Sequence, residues 1–250
     1  MKKLIAIGLF IFSNIITFAQ STPPPPPSSN PPYYNAPRGK ATKFKGGLMV
    51  SPSVTWLDAN VDNSSINKIR SPNPHLGFSY GLVGDFFFNN NYGIGTGIRV
   101  TGFDESFDYY ADANKAYYIG RTLHLQYLDI PITLKMRTND VGYMKYFAQF
   151  GFMPAIKLSA RADIDTVGVT NTNGLNVASS VNLLMLYSVV GLGAEYNLGG
   201  TTNLVFGITW YNGFTNIWNK AGNRTSTDPN VNSNFNTPAE NIALNFGVLF

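Results

Sequence analysis

Apolar side chains recur at every second position along most of the chain beyond Phe44. Between His75 and Phe88, Leu76, Phe78, Tyr80, Leu82, Phe86 and Phe88 share one face of an extended strand. Gly77, Ser79, Gly81, Val83, Asp85 and Phe87 share the other. Farther on, Tyr92, Ile94, Thr96, Ile98 and Val100 oppose Gly93, Gly95, Gly97, Arg99 and Thr101. The last segment sets Ile242, Leu244, Phe246, Val248 and Phe250 on one side. This period predicts eight strands: Phe44–Leu57, His75–Phe88, Tyr92–Phe103, Thr122–Arg137, Tyr146–Arg161, Val181–Tyr196, Leu204–Thr215 and Asn241–Phe250. No stretch carries a helical repeat.

The fourth predicted strand changes register. Leu123, Leu125 and Tyr127 are odd, whereas Leu128, Ile130, Ile132, Leu134 and Met136 are even. One extra residue near Tyr127–Leu128 would restore a single apolar face, so a bulge is expected there. Pro131, which has no N–H, costs this strand one ladder bond.

Connections alternate in length. Asn89–Asn91, Thr138–Lys145 and Asn197–Asn203 are short, whereas 58–74, 104–121, 162–180 and 216–240 are long and polar. Strands of this length exceed the usual ~5–6 residues of globular sheets and cover the ~9–11 needed to cross a bilayer. Short turns at one end and long loops at the other describe an all-β, eight-stranded, antiparallel, up-and-down transmembrane β-barrel. Its apolar face meets lipid and its Gly-rich face the lumen. A soluble lipocalin-like barrel, with apolar residues inward, predicts tight hairpins at both rims and charged outer faces. Neither is present.

Composition fits the membrane reading. Charged residues make up 13% of the chain, against a typical ~25%. The net charge of +4 is scattered and gives no reason to expect a nucleic-acid partner. There is no cysteine, which excludes disulfides, thiolate metal sites and a lipidated N-terminal cysteine. Residues 1–20, "MKKLIAIGLFIFSNIITFAQ", read as a signal peptide: Lys2 and Lys3 precede an apolar run that Ser13 and Asn14 interrupt. Residues 21–43 read as a Pro-rich periplasmic linker without fixed structure, and 44–250 as the barrel. An even strand number places both termini on the periplasmic side.

The expected lumen face carries Asp85, Arg99, Asp129, Lys135, Arg137, Lys157, Arg161 and Glu195. Eight strands leave room only for side chains, so these charges must pair. They form either a structural plug or the lining of a narrow pore, with Asp129 to Lys135 or Lys157 as the pairing guessed at. No catalytic, cofactor or metal site is expected. His75 and His124 lack an evident acid and serine for a hydrolytic triad. "GIGTGIR", residues 93–99, alternates within a strand and so thins the lumen wall rather than cradling phosphate. Asp104, Glu105, Asp108 and Asp112 lack calcium-loop spacing and read as a solvated loop. Trp56, Tyr92, Trp210, Tyr211 and Trp218 are candidates for interfacial girdles, and Tyr109, Tyr110, Tyr117 and Tyr118 for loop packing.

"YLDIPITLKMRT", residues 127–138, followed by "KYFAQFGFMPAIKLSA", residues 145–160, resembles the PorT-type outer-membrane β-barrel family of Gram-negative envelopes. "VGLGAEYNL", residues 190–198, looks like that family's next strand. The resemblance implies a non-enzymatic structural or accessory role in envelope assembly or protein secretion, with secretion-complex proteins as partners. A small-solute porin and a lipid-modifying barrel enzyme are the alternatives. Phe246, Val248 and the terminal Phe250 resemble the signal read by barrel-assembly machinery, although Asn245 and Ala243 depart from it.

Overall fold

The computed structural model describes residues 43–57, 74–110, 118–166, 172–219 and 238–250. The expected signal peptide and almost all of the linker lie outside these residues. Ten strands run β1 (Phe44–Leu57), β2 (His75–Phe87), β3 (Tyr92–Tyr110), β4 (Tyr118–Asp129), β5 (Ile132–Arg137), β6 (Met144–Thr166), β7 (Thr172–Asn176), β8 (Leu184–Gly199), β9 (Thr202–Asn216) and β10 (Pro238–Leu249). Each pairs antiparallel with its neighbours, and β1 pairs with β10, so the sheet closes on itself. Reciprocal bonds between Gly46 and Phe250 complete that seam. Counting β4 and β5 as one crossing, and β7 as a hairpin beyond the ring, eight strands form the wall.

The break between β4 and β5 falls at Ile130–Pro131, where proline has no hydrogen to donate. Ile130 instead donates to the Pro154 carbonyl at 3.0 Å. Register against β3 continues across the gap, from Arg99 opposite Asp129 to Thr96 opposite Ile132. The bulge expected at Tyr127–Leu128 is therefore absent from this strand. The offset lies on the partner: Gln126 pairs with Ser159 and Tyr127 with Lys157, which leaves Leu158 of β6 unpaired. The odd residues of β4 and β5 face inward throughout. What changes is their chemistry, from buried Leu123, Leu125 and Tyr127 to buried Asp129, Thr133, Lys135 and Arg137.

Leu158 also reverses the faces of β6. Met153 and Ala155 are buried before it, Ala160 and Ala162 after it. Two connections expected to be loops are partly strand: β3 runs on to Tyr110 and β6 to Thr166, each beyond its predicted end. Asp104 and Glu105 thus occupy opposite faces of a strand. Asp112 lies outside the described residues.

The outer wall is apolar. Leu82 is 60% exposed, Ile98 55% and Leu192 54%, and most outward positions on the wall strands are of the same kind, with Thr96, Ser188 and Asn212 as polar exceptions. An apolar surface this continuous has no place on a soluble monomer. A closed ring with every ladder bond made internally is one of the two backbone solutions available in lipid. Tyr92, Tyr143, Tyr146 and Tyr196 lie exposed toward the short-turn end, as an aromatic girdle does. Trp210 is also exposed, but Tyr211 points inward and Trp218 is buried, so neither joins a girdle.

Candidate functional site: a filled lumen and a polar clasp on the wall

At the short-turn end of the lumen, one cluster gathers Lys45, Asp85, Lys135, Arg137 and Glu195, all buried. Lys135 Nζ lies 2.6 Å from Asp85 Oδ2 and 2.7 Å from Glu195 Oε1. Lys45 and Arg137 approach Glu195 Oε2 at 3.8 and 3.7 Å, and Asn203 donates to the same oxygen at 3.3 Å. The Arg137 guanidinium lies 3.4 Å from the Phe87 ring centroid, and its Nε donates to the Asn90 carbonyl at 2.7 Å. Lys135 also lies 4.3 Å from the Phe147 ring centroid.

A neutral layer follows. Ser51 donates to Asn245 at 2.8 Å, and Asn245 donates to Thr209 at 2.7 Å. A second charge pair borders it. Arg99 and Asp129 are direct partners across β3 and β4, 3.7 Å apart. Thr101 donates to the Asp129 carboxylate at 2.5 Å. Arg99 donates to the Tyr211 hydroxyl at 2.8 Å and to the Met153 sulfur at 2.9 Å.

Toward the long-loop end the interior becomes an apolar core. Phe103, Leu123, Leu125, Tyr127, Met185, Tyr187, Val189 and Ile217 pack together there, with Phe103 and Tyr127 stacked at 6.0 Å. Glu105 sits at this level, fully buried, and among the described residues it makes no well-formed hydrogen bond.

On the outside of the wall, just beyond the apolar band, His124 bridges two carboxylates. Its Nδ1 lies 2.7 Å from Asp104 and its Nε2 3.1 Å from Asp163. Carboxylates only accept, so both bonds form fully only when both ring nitrogens carry protons. The bonds to Asp163 and then Asp104 outweigh partial burial and hold the imidazole above its ordinary range. Asp163 also accepts the Gly174 N–H at 2.7 Å. That bond, followed by His124, holds its carboxyl below the usual range. The sequence offered no acid beside His124; the structure supplies two. With both nitrogens taken, the ring has none left for a general base. Among the described residues no group of three His, Cys, Asp or Glu side chains could hold a metal ion.

Residues 18–219 match the outer membrane protein beta-barrel domain family. The chain belongs to that family. As an outer-membrane β-barrel it is also similar to solved structures of low identity. Ail, the attachment invasion locus protein of Yersinia pestis, is 10% identical, with 84% of this chain and 100% of that one covered at a TM-score of 0.37. OprG from Pseudomonas aeruginosa is 13% identical over 83% and 94%, with a TM-score of 0.37. The outer membrane protease OmpT from Escherichia coli is 9% identical over 85% and 97%, with a TM-score of 0.38. No curated protein matches the chain.

The residues expected in the lumen of this outer-membrane barrel divide. Asp85, Lys135, Arg137 and Glu195 meet in one cluster, and Arg99 meets Asp129 in another. Asp129 therefore pairs with neither Lys135 nor Lys157. Lys157 turns its ammonium to the carbonyls of Ala178 and Val181 instead. Arg161 is on the outer face, exposed, because Leu158 inverts the strand before it. Lys45 was missed, although it shares its parity with inward Ser51, Ser53 and Thr55 on β1. Asp104, Glu105 and Asp163 were missed because their segments read as loop.

Proposed function

We propose that this barrel is a closed, non-conducting and non-enzymatic component of the outer membrane that serves envelope assembly or protein secretion. The observation that carries the reading is the filled lumen: charged and hydrogen-bonded side chains occupy one half and an apolar core the other. A porin needs a continuous wet path, and an apolar core of buried Leu, Met and Tyr side chains interrupts one. The engagement of both His124 nitrogens favours a non-catalytic role over lipid hydrolysis. The resemblance of residues 127–138 and 145–160 to PorT-type barrels supports the secretion role.

In this reading the short-turn end faces the periplasm with both termini, and the Pro-rich sequence of residues 21–43 recruits a partner. Phe246, Val248 and Phe250, exposed on the last strand, engage the assembly machinery. Planar-bilayer recording tests closure: the purified barrel gives no stable current steps, and reproducible steps support the porin reading instead. In-cell crosslinking, compared with loss of secreted proteins in a deletion strain, tests the role. An unchanged secretome with no captured envelope protein ends it.

A further inference from the structure

A groove of about 430 Å³ runs along the outer wall where the apolar band ends, and its two sides differ in chemistry. Leu76 and Phe78 on β2 form one side, 82% and 50% exposed. Gln126, Ser159 and Arg161 form the other, with His124 and Asp104 at its long-loop end. Gly102 opens the floor between them: a side chain there would meet nothing closer than Gln126 Cγ at 4.0 Å. Outward positions along the neighbouring stretch of β3 carry Ile98 and Val100, so this notch interrupts an otherwise filled row.

The charges in the groove and beside it are unequally engaged. Asp104 and Asp163 are both held by His124. Arg161 is exposed and, among the described residues, has no ion-pair partner. An exposed guanidinium with five donors suits a phosphate oxygen pair better than it suits water alone. Gln126 and Ser159 add hydroxyl and amide groups that suit a sugar. A ligand that fits must be apolar where Leu76 and Phe78 lie and anionic where Arg161 lies.

We propose that this groove is a binding site for a phosphorylated glycolipid of the surrounding leaflet, with an acyl chain over Gly102 between Phe78 and Gln126 and a phosphate on Arg161. The site stands apart from the lumen and is independent of conductance; it rests on the orientation proposed above, which puts the long-loop end in the outer leaflet.

The test uses the full-length folded barrel in detergent micelles, exchanged into phosphorylated outer-membrane glycolipid, into phosphatidylethanolamine, or into buffer with inorganic phosphate. Native mass spectrometry then counts retained lipid. The wild type retains the glycolipid, and Arg161→Gln and Gly102→Leu each lose about tenfold in retention, the scale of one charge-assisted contact. Arg161→Lys recovers part of the loss. Heat-modifiable gel migration confirms that each variant is folded, and both substitutions face outward. Equal retention by wild type and variants, equal retention of phosphatidylethanolamine, or displacement by inorganic phosphate alone would each overturn the proposal.

Discussion

Lys135 and Asp85 form a 2.6 Å ion pair although their strands, β5 and β2, are not neighbours. β3 runs between them, with Gly93 opposite Lys135 and Gly95 opposite Asp85. A side chain at Gly95 would meet Asp85 Oδ1 at 3.2 Å and Thr133 Oγ1 at 2.8 Å. The glycine row of "GIGTG" is thus the floor over which the bridge is made. It clears the space that two charged side chains need.

Lys135→Met should be strongly destabilising, because it leaves Asp85 and Glu195 buried without their shared cation. Breaking such a buried pair costs about 3–5 kcal/mol. Urea unfolding in lipid vesicles measures the loss. The double variant Lys135→Met, Asp85→Asn should recover most of it, since Glu195 keeps Lys45 and Arg137 as partners and no carboxylate is left without a cation.

Arginine on the outer wall should cost stability according to depth. Ile98 lies mid-band opposite Leu82, and Ile98→Arg should cost about 2–4 kcal/mol. Leu76, at the band's edge, should tolerate arginine at about 0–1 kcal/mol. Equal costs at the two positions in vesicle unfolding would argue against a lipid-facing wall.

Because the chain has no cysteine, single-cysteine labelling can read the faces of β6 directly. Arg161→Cys should react readily with a water-soluble maleimide, whereas Ala160→Cys and Ala162→Cys should resist. A strand without the Leu158 offset gives the opposite pattern.

His124 should make the extension of β3, β4 and β6 beyond the band pH-dependent. Its folded-state value is raised, so its stabilising effect is complete below the unfolded value of about 6.5. The effect is lost as pH rises through the higher folded value. Amide exchange in residues 104–106 and 122–124, corrected for its intrinsic pH dependence, should lose protection on passing to alkaline pH. His124→Gln should abolish that change.

Much of this architecture was legible in the chain. Alternation fixed the two faces of β2, β3 and β10, and loop length separated a short-turn end from a long-loop end. The inward charges of those segments followed from parity. Partners did not, because a pair such as Lys135 and Asp85 depends on two registers and on what lies on the strand between. Arg161 was misplaced for a related reason: one unpaired residue reverses parity without any mark of its own, since Leu158 looks like any outward leucine. The register change at Tyr127 was real in the sequence but came from a change of layer inside the tube. Period alone cannot separate those causes. Glu105 and Asp104 looked like loop acids because polar residues dominate where a strand leaves the bilayer.

The seam between Gly46 and Phe250 joins positions from opposite extremes of the described chain. A nascent polypeptide that has delivered only β1 to β9 is a curled ribbon with two bare edges, each a template for unwanted neighbours. Ring closure waits on the most distant contacts, the slowest kind to form. Until β10 docks on both neighbours the tube is open, so any species short of closure carries two unpaired strand edges through the whole height of the wall.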